Sequence, residues 1–130
     1  MPFIVAFLGA GLGGMLRHGV NLLAAWMVGT SGFPFGTLTI NVLGSFLMGL
    51  AVEFFAMRAG LTEHWRLFVT TGILGGFTTF STFSLETALL HERGQTFAAA
   101  IYVLASVTVS IGALFAALAL FRYAFGTGGA

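Results

Sequence analysis

Four stretches of this chain carry no charged side chain: residues 1 to 16, 19 to 52, 67 to 85 and 94 to 121. A hydrocarbon core about 30 Å thick takes about 20 mostly apolar helical residues to cross, so runs of this length read first as membrane spans. The second run is too long for one crossing. Inside it Gly29-Thr30-Ser31-Gly32-Phe33-Pro34-Phe35-Gly36 gathers residues that end helices, which splits the run in two. The chain is therefore expected to be an all-α integral membrane protein with four transmembrane helices, near 3–28, 37–57, 67–90 and 96–122, forming one membrane domain over 1–130. The connections are short. Arg58 to Arg66 is the only strongly polar loop, and His91-Glu92-Arg93-Gly94-Gln95 reads as a tight hairpin.

Composition closes off the alternatives. Apolar residues make up 58% of the chain and charged ones 7%, where a soluble domain carries roughly a quarter. The cations are Arg17, Arg58, Arg66, Arg93 and Arg122, and the acids Glu53, Glu63, Glu86 and Glu92. A net charge of +1 supplies no basic stripe for nucleic acid. The absence of cysteine removes disulfides, thiolate metal sites and cysteine nucleophiles together. His18, His64 and His91 fall near predicted helix ends without ligand spacing, which argues against a transition-metal site. Met1 to Leu8 has no basic residue for a signal-peptide n-region, so the chain is read as mature from Met1. No soluble portion is left to host enzyme chemistry.

With four spans, both termini and the 58–66 loop share one side and carry Arg58, Arg66 and Arg122, against Arg93 on the other. Three against one is a small bias by the rule that places Lys and Arg inside. It fits either a single orientation or insertion both ways round.

Glycine supplies 19 residues, many inside the spans, where each costs about 1 kcal/mol of helix propensity relative to Ala. Gly9 with Gly13, and Gly72 with Gly76, have the small-xxx-small spacing that lets backbones approach in lipid. Gly9-Ala10-Gly11-Leu12-Gly13-Gly14 also matches a dinucleotide fingerprint by letter. No strand precedes it, however, and the next acid, Glu53, lies far past the ~20-residue distance of a ribose-binding carboxylate.

The third span is the most informative. Thr70-Thr71-Gly72-Ile73-Leu74-Gly75-Gly76-Phe77-Thr78-Thr79-Phe80-Ser81-Thr82-Phe83-Ser84-Leu85-Glu86 is poor material for a lipid-facing helix. One reading is a break near Gly75 to Thr79, which survives at membrane depth only when buried in protein or facing a wet cavity. Its half-helix ends would expose carbonyls and amides, as in transport proteins that hold ions. The other reading is a polar helix–helix interface. Further polar groups lie on other spans: Asn41 with Ser45 one turn on, and Tyr102, Ser106 and Ser110 in one stripe at i, i+4 and i+8, with Thr108 off it. Such a stripe serves as interhelical glue or as a pore lining. Arg17 is an intramembrane cation that must snorkel, pair or face a wet vestibule. Donors without acids, plus this cation, favour an anion as the transported species, although these groups suit more than one small anion.

Across all four spans the chain resembles the Fluc family of fluoride channels, also called CrcB proteins. The resemblance rests on Gly11-Leu12-Gly13-Gly14-Met15-Leu16-Arg17, on Gly36-Thr37-Leu38-Thr39-Ile40-Asn41, and above all on Gly75 to Ser84 with Glu86. His18 departs from it, since the family tends to carry an aromatic after the arginine. The resemblance implies a fluoride-selective channel that exports fluoride passively across the plasma (inner) membrane and relieves fluoride toxicity. It implies an antiparallel, dual-topology homodimer with two narrow pathways along the subunit interface. Phe80 and Phe83 would line the pore, Asn41 would offer its amide, and Tyr102, Ser106, Ser110, Ser81 and Thr82 would form a polar track. Carbonyls of Gly75 and Thr78 from both subunits would hold a structural Na⁺, and Arg17 would be a vestibule or structural cation. The ring edges of Phe80 and Phe83 suit an anion, because an aromatic rim is the positive part of the ring quadrupole. A competing class is a small dual-topology, proton-coupled multidrug exporter. It needs a deep carboxylate, for which Glu53 and Glu86, both toward span ends, are the only candidates; a non-transport helper subunit would have no use for a broken third span.

Overall fold

The structure, a computed structural model, describes residues 1–29, 32–58 and 60–126. Thr30 and Ser31 of the predicted breaker cluster, Ala59 of the polar loop and residues 127–130 lie outside the described residues. All regular structure among the described residues is helical. Three helices are long and apolar enough to cross a membrane: α1 (Pro2–Val28), α2 (Phe35–Met57) and, at the end of the chain, the helix Thr96–Phe125. The predicted third span is in pieces. It comprises α3 (Glu63–Leu67), a π-helical segment (Phe68–Leu74), α4 (Gly75–Phe77), two extended residues, Thr78 and Thr79, and α5 (Phe80–Glu92), after which Thr96–Phe125 is α6. The interruption thus falls at the C-terminal end of the expected interval, on the threonines rather than on the Gly75-Gly76 pair.

Local chemistry accounts for the ends. Pro2 opens α1, where its missing N–H would be unpaired anyway. Between α5 and α6 the chain reverses at Gly94, whose φ of +82° suits glycine. The Gly94 amide donates to His91 O at 3.0 Å and the Gln95 amide to Leu90 O at 2.9 Å, closing the helix end within five residues.

The predicted glycine seam forms. Gly9 and Gly13 of α1 are buried against the π segment and α4. A Cβ on Gly9 would stand 2.7 Å from Phe68 O and 2.8 Å from the Gly72 Cα, so the two backbones touch. The π-helical turn had no sequence signal. It occupies the stretch that α1 presses upon, and wide π turns are rare and tend to mark functional sites. On the other side α2 packs along α6, with Gly49 against Leu114 O, and α5 packs on α6 through Phe83, Leu90, Ala99 and Tyr102. Large apolar residues face outward instead, with Phe3 89% and Trp26 83% exposed, the inverse of a water-soluble protein.

These contacts predict a sharp difference between adjacent glycines. A Cβ on Gly13 would collide with the Ile73 carbonyl, whereas one on Gly14 meets nothing within 4 Å. Gly13→Ala should lower stability by about 1–3 kcal/mol through overpacking, and Gly14→Ala should leave it unchanged. Thermal melting of the two purified variants measures the difference, and equal midpoints would contradict the seam.

Candidate functional site

The break organises the site. Thr79 caps α5: its Oγ1 accepts from the Thr82 amide at 3.2 Å. Its main chain is held from across the bundle by Asn41, whose Nδ2 donates to Thr79 O at 3.0 Å while Oδ1 accepts from the Thr79 amide at 2.9 Å. In an unbroken helix the amides of Thr79 and Thr82 would donate to the carbonyls of Gly75 and Thr78. Both amides are engaged by side chains instead, so these two carbonyls lose their helical donors. Thr78 ties its own amide and hydroxyl to Leu74 O, both at 3.1 Å.

Beside the break lies a groove of about 400 Å³, whose lining includes Asn41, Thr78, Phe80, Phe83, Ser106 and Ser110. Six positions from α2, the break, α5 and α6, separate in sequence, therefore converge. The Phe80 and Phe83 rings are 5.5 Å apart and tilted. Phe83 is buried, but Phe80 is 77% exposed, so the groove is open on its side. The Ser106 and Ser110 hydroxyls are buried and have no hydrogen-bond partner among the described residues. Hydroxyls elsewhere behave differently: Ser84, Thr87 and Thr108 each donate to the carbonyl one turn back, at 3.0, 2.8 and 2.6 Å. Two unpartnered hydroxyls one helical turn apart form a polar strip in the interior, where an unmade hydrogen bond costs about 1–3 kcal/mol.

Three predicted track residues stand outside the groove lining. Ser81 is exposed, with its hydroxyl 3.4 Å from Thr79 Oγ1, and Thr82 contributes the amide that Thr79 caps. Tyr102 is fully buried, and its hydroxyl donates to Glu86 Oε1 at 3.3 Å.

The CrcB-like protein family, described as Camphor Resistance (CrcB), matches residues 4–118. The chain belongs to this family. It is 65% identical over 123 residues to a protein of Granulibacter bethesdensis named fluoride-specific ion channel FluC, covering 94% of this chain and 95% of that one. Proteins of the same name from Methylobacterium nodulans and Agrobacterium fabrum are 60% and 49% identical, covering 92% and 90% of this chain and 94% and 93% of theirs.

Set in this CrcB-like chain, the acids that a proton-coupled exporter would need are both engaged. Glu53 is buried and takes Arg122 through Nε and a terminal nitrogen, each at 2.7 Å, an α2–α6 pair 69 residues apart that nothing in the local sequence announces. Glu86 accepts from Tyr102. Arg17 is half-buried on α1, and among the described residues no acid stands within ion-pair distance of it. Sequence reasoning also missed what Asn41 does. The amide expected to face an anion spends its oxygen and one N–H on Thr79, leaving a single N–H free.

Asn41→Ala would strand the Thr79 amide, costing about 1–3 kcal/mol, and take one donor from the Thr79 carbonyl. A thermal melt should show a large loss for Asn41→Ala and little for Ser45→Ala one turn on, since the Ser45 hydroxyl holds no part of the break. Equal effects would deny Asn41 this role.

Proposed function

We propose that the chain is a fluoride-selective channel that passes fluoride down its gradient across the plasma membrane and so relieves fluoride toxicity. The observation that carries this reading is the buried, unpartnered pair Ser106 and Ser110 in the groove with the Phe80 and Phe83 rings. A small anion must exchange its water for close donors. Two hydroxyls, the remaining Asn41 N–H and two ring edges are such donors, and the groove lining contains no carboxylate to repel it. The relatives named as fluoride-specific channels supply the identity of the anion.

The working unit of this reading is an antiparallel homodimer of four-span protomers, in which the broken segment makes the remaining crossing. Supporting it are the exposure of Phe80 on an open groove and the small arginine bias. A second copy would complete each groove and give two pathways. The Gly75 and Thr78 carbonyls, deprived of helical donors, suit a hard cation that takes oxygen ligands. They are the groups that would hold a structural Na⁺ between subunits, where it would join two breaks electrostatically. Arg17 then serves as the cation of a water-filled vestibule.

Vesicles loaded with fluoride test the function. The purified protein should release fluoride passively without a proton gradient, and efflux no faster than from protein-free vesicles would overturn the reading. Phe83→Ile keeps the apolar bulk but removes the ring rim; efflux should fall at least tenfold in a variant that elutes like the parent protein.

Topology is tested separately. Reporters fused to the C-terminus should be active on both sides of the membrane, and two lysines added to the 91–95 hairpin should shift the ratio toward one side. Activity confined to one side in the parent fusion would remove dual insertion.

A further inference from the structure

A second cavity, of about 320 Å³, lies beyond Tyr102 from the groove, and Phe33, Glu86 and Arg93 are among its lining residues. Tyr102 lines neither cavity and is 0% exposed, yet it touches the walls of both. On the groove side the Phe83 ring centroid is 5.2 Å from that of Tyr102. On the other side the Phe33 ring stands over it at 5.6 Å and 81°, an edge contact. The Tyr102 hydroxyl reaches Glu86, a lining residue of the second cavity. Tyr102 is therefore the partition between the two spaces, clamped between a ring of α5 and a ring of the α1–α2 connection.

We propose that Phe33 is a positioning residue of the anion pathway: it holds the Tyr102 ring upright so that its hydroxyl stands where the polar strip of Ser106 and Ser110 meets the second cavity, which is the pathway's mouth. The inference rests on the fluoride reading above. Phe33 precedes α2 and no helix fixes it; its ring is held between Phe35, at 4.8 Å, and Tyr102. Phe83 alone would support one face of the tyrosine. Without the edge contact of Phe33 the ring can tilt toward the second cavity, and its only O–H leaves the line of the strip. A tyrosine has a single proton to donate, and it rests on Glu86 Oε1 at 3.3 Å, so a passing anion receives it only when the O–H turns from Glu86 while the ring stays upright. Phe33 itself touches no anion and acts through Tyr102.

The test is a double-mutant cycle on fluoride efflux from vesicles. Phe33→Leu keeps apolar volume and removes the ring edge, and Tyr102→Phe keeps the ring and removes the hydroxyl. Each should lower efflux at least fivefold, and the double variant should be no slower than Tyr102→Phe alone, because Phe33 has no other route of action. Phe33→Tyr, which restores an edge, should return most of the rate. A merely structural role for Phe33 would lower efflux by the same factor in both backgrounds, and that result overturns the proposal. So does an unchanged rate in either single variant. If Phe33→Leu does not elute as the parent protein does, Phe33→Met replaces it in the cycle. Absence of efflux from the parent protein would instead defeat the fluoride reading, and this inference with it; parent efflux with multiplicative losses would defeat the inference alone.

Discussion

Within hydrocarbon no main-chain amide or carbonyl can be left to water, and this structure turns on how that rule is met at one residue. Thr79 is extended at the depth where α-helix is the default, and although its carbonyl opens the α5 ladder as the N-cap, its amide has no helical acceptor. The side chain of Asn41 supplies both an acceptor and a donor, at 2.9 and 3.0 Å, reproducing what a neighbouring strand would give. Much of the site follows from that pair. Because the Thr79 amide is on Asn41 and the Thr82 amide on the Thr79 hydroxyl, the Gly75 and Thr78 carbonyls are released. Because α5 starts afresh at Phe80, its first turn places Phe80 and Phe83 beside the serine strip of α6.

A break of this kind needs rigid surroundings, since lipid offers no hydrophobic drive to press helices together. Here contact is made by the absence of side chains. Gly9 and Gly13 set the α1 backbone directly on the segment that leads into the break, so the π turn and α4 are fixed before the chain becomes extended. At one end of α2 the Glu53–Arg122 pair ties that helix to α6. Only Glu53 is buried in this pair, Arg122 being exposed, so the loss of Arg122 would leave a buried carboxylate without its partner; the pair acts as a register pin between the two helices that carry Asn41 and the serines.

The three long helices were legible because their signal is local: charge-free runs ended by Gly, Pro or Arg. The interruption was legible as composition and its place to the interval Gly75 to Thr79, but not the two residues within it that leave the helix. The glycine pair opens that interval but stays helical, since glycine tolerates helix when closely packed and Gly76 is packed on Ala10; the break settles at its far end, beside Thr79, which Asn41 bonds from 38 positions away. The π segment was illegible for the same reason, being shaped against α1. The serine stripe followed from helical spacing, and Thr108 does point elsewhere, bonding back to Leu104. What spacing could not show is that the stripe's hydroxyls lack partners, or that the Tyr102 hydroxyl is on Glu86, because both depend on what neighbouring helices withhold or supply.

The serine strip owes its function to the same contrast between bonded and unbonded hydroxyls. A serine on a helix can nearly always satisfy its hydroxyl by bonding the carbonyl a turn earlier, as Ser84 does with Phe80. Ser106 and Ser110 forgo this with their hydroxyls buried, beside a break where the Thr79 and Thr82 amides have each been given a side-chain partner. Glue between helices would show the hydroxyls bonded across an interface. Here the facing surface is a groove with ring edges and one spare amide N–H, and it carries donors without competing acceptor side chains of formal charge. Such a lining is stable only if something in the groove accepts those hydrogen bonds, whether water or a small anion. An anion gains more from them than water does, since charge-assisted hydrogen bonds are roughly twice as strong as neutral ones. The same unfilled hydrogen-bonding capacity that burdens the protein at rest is what lets it take an ion out of water.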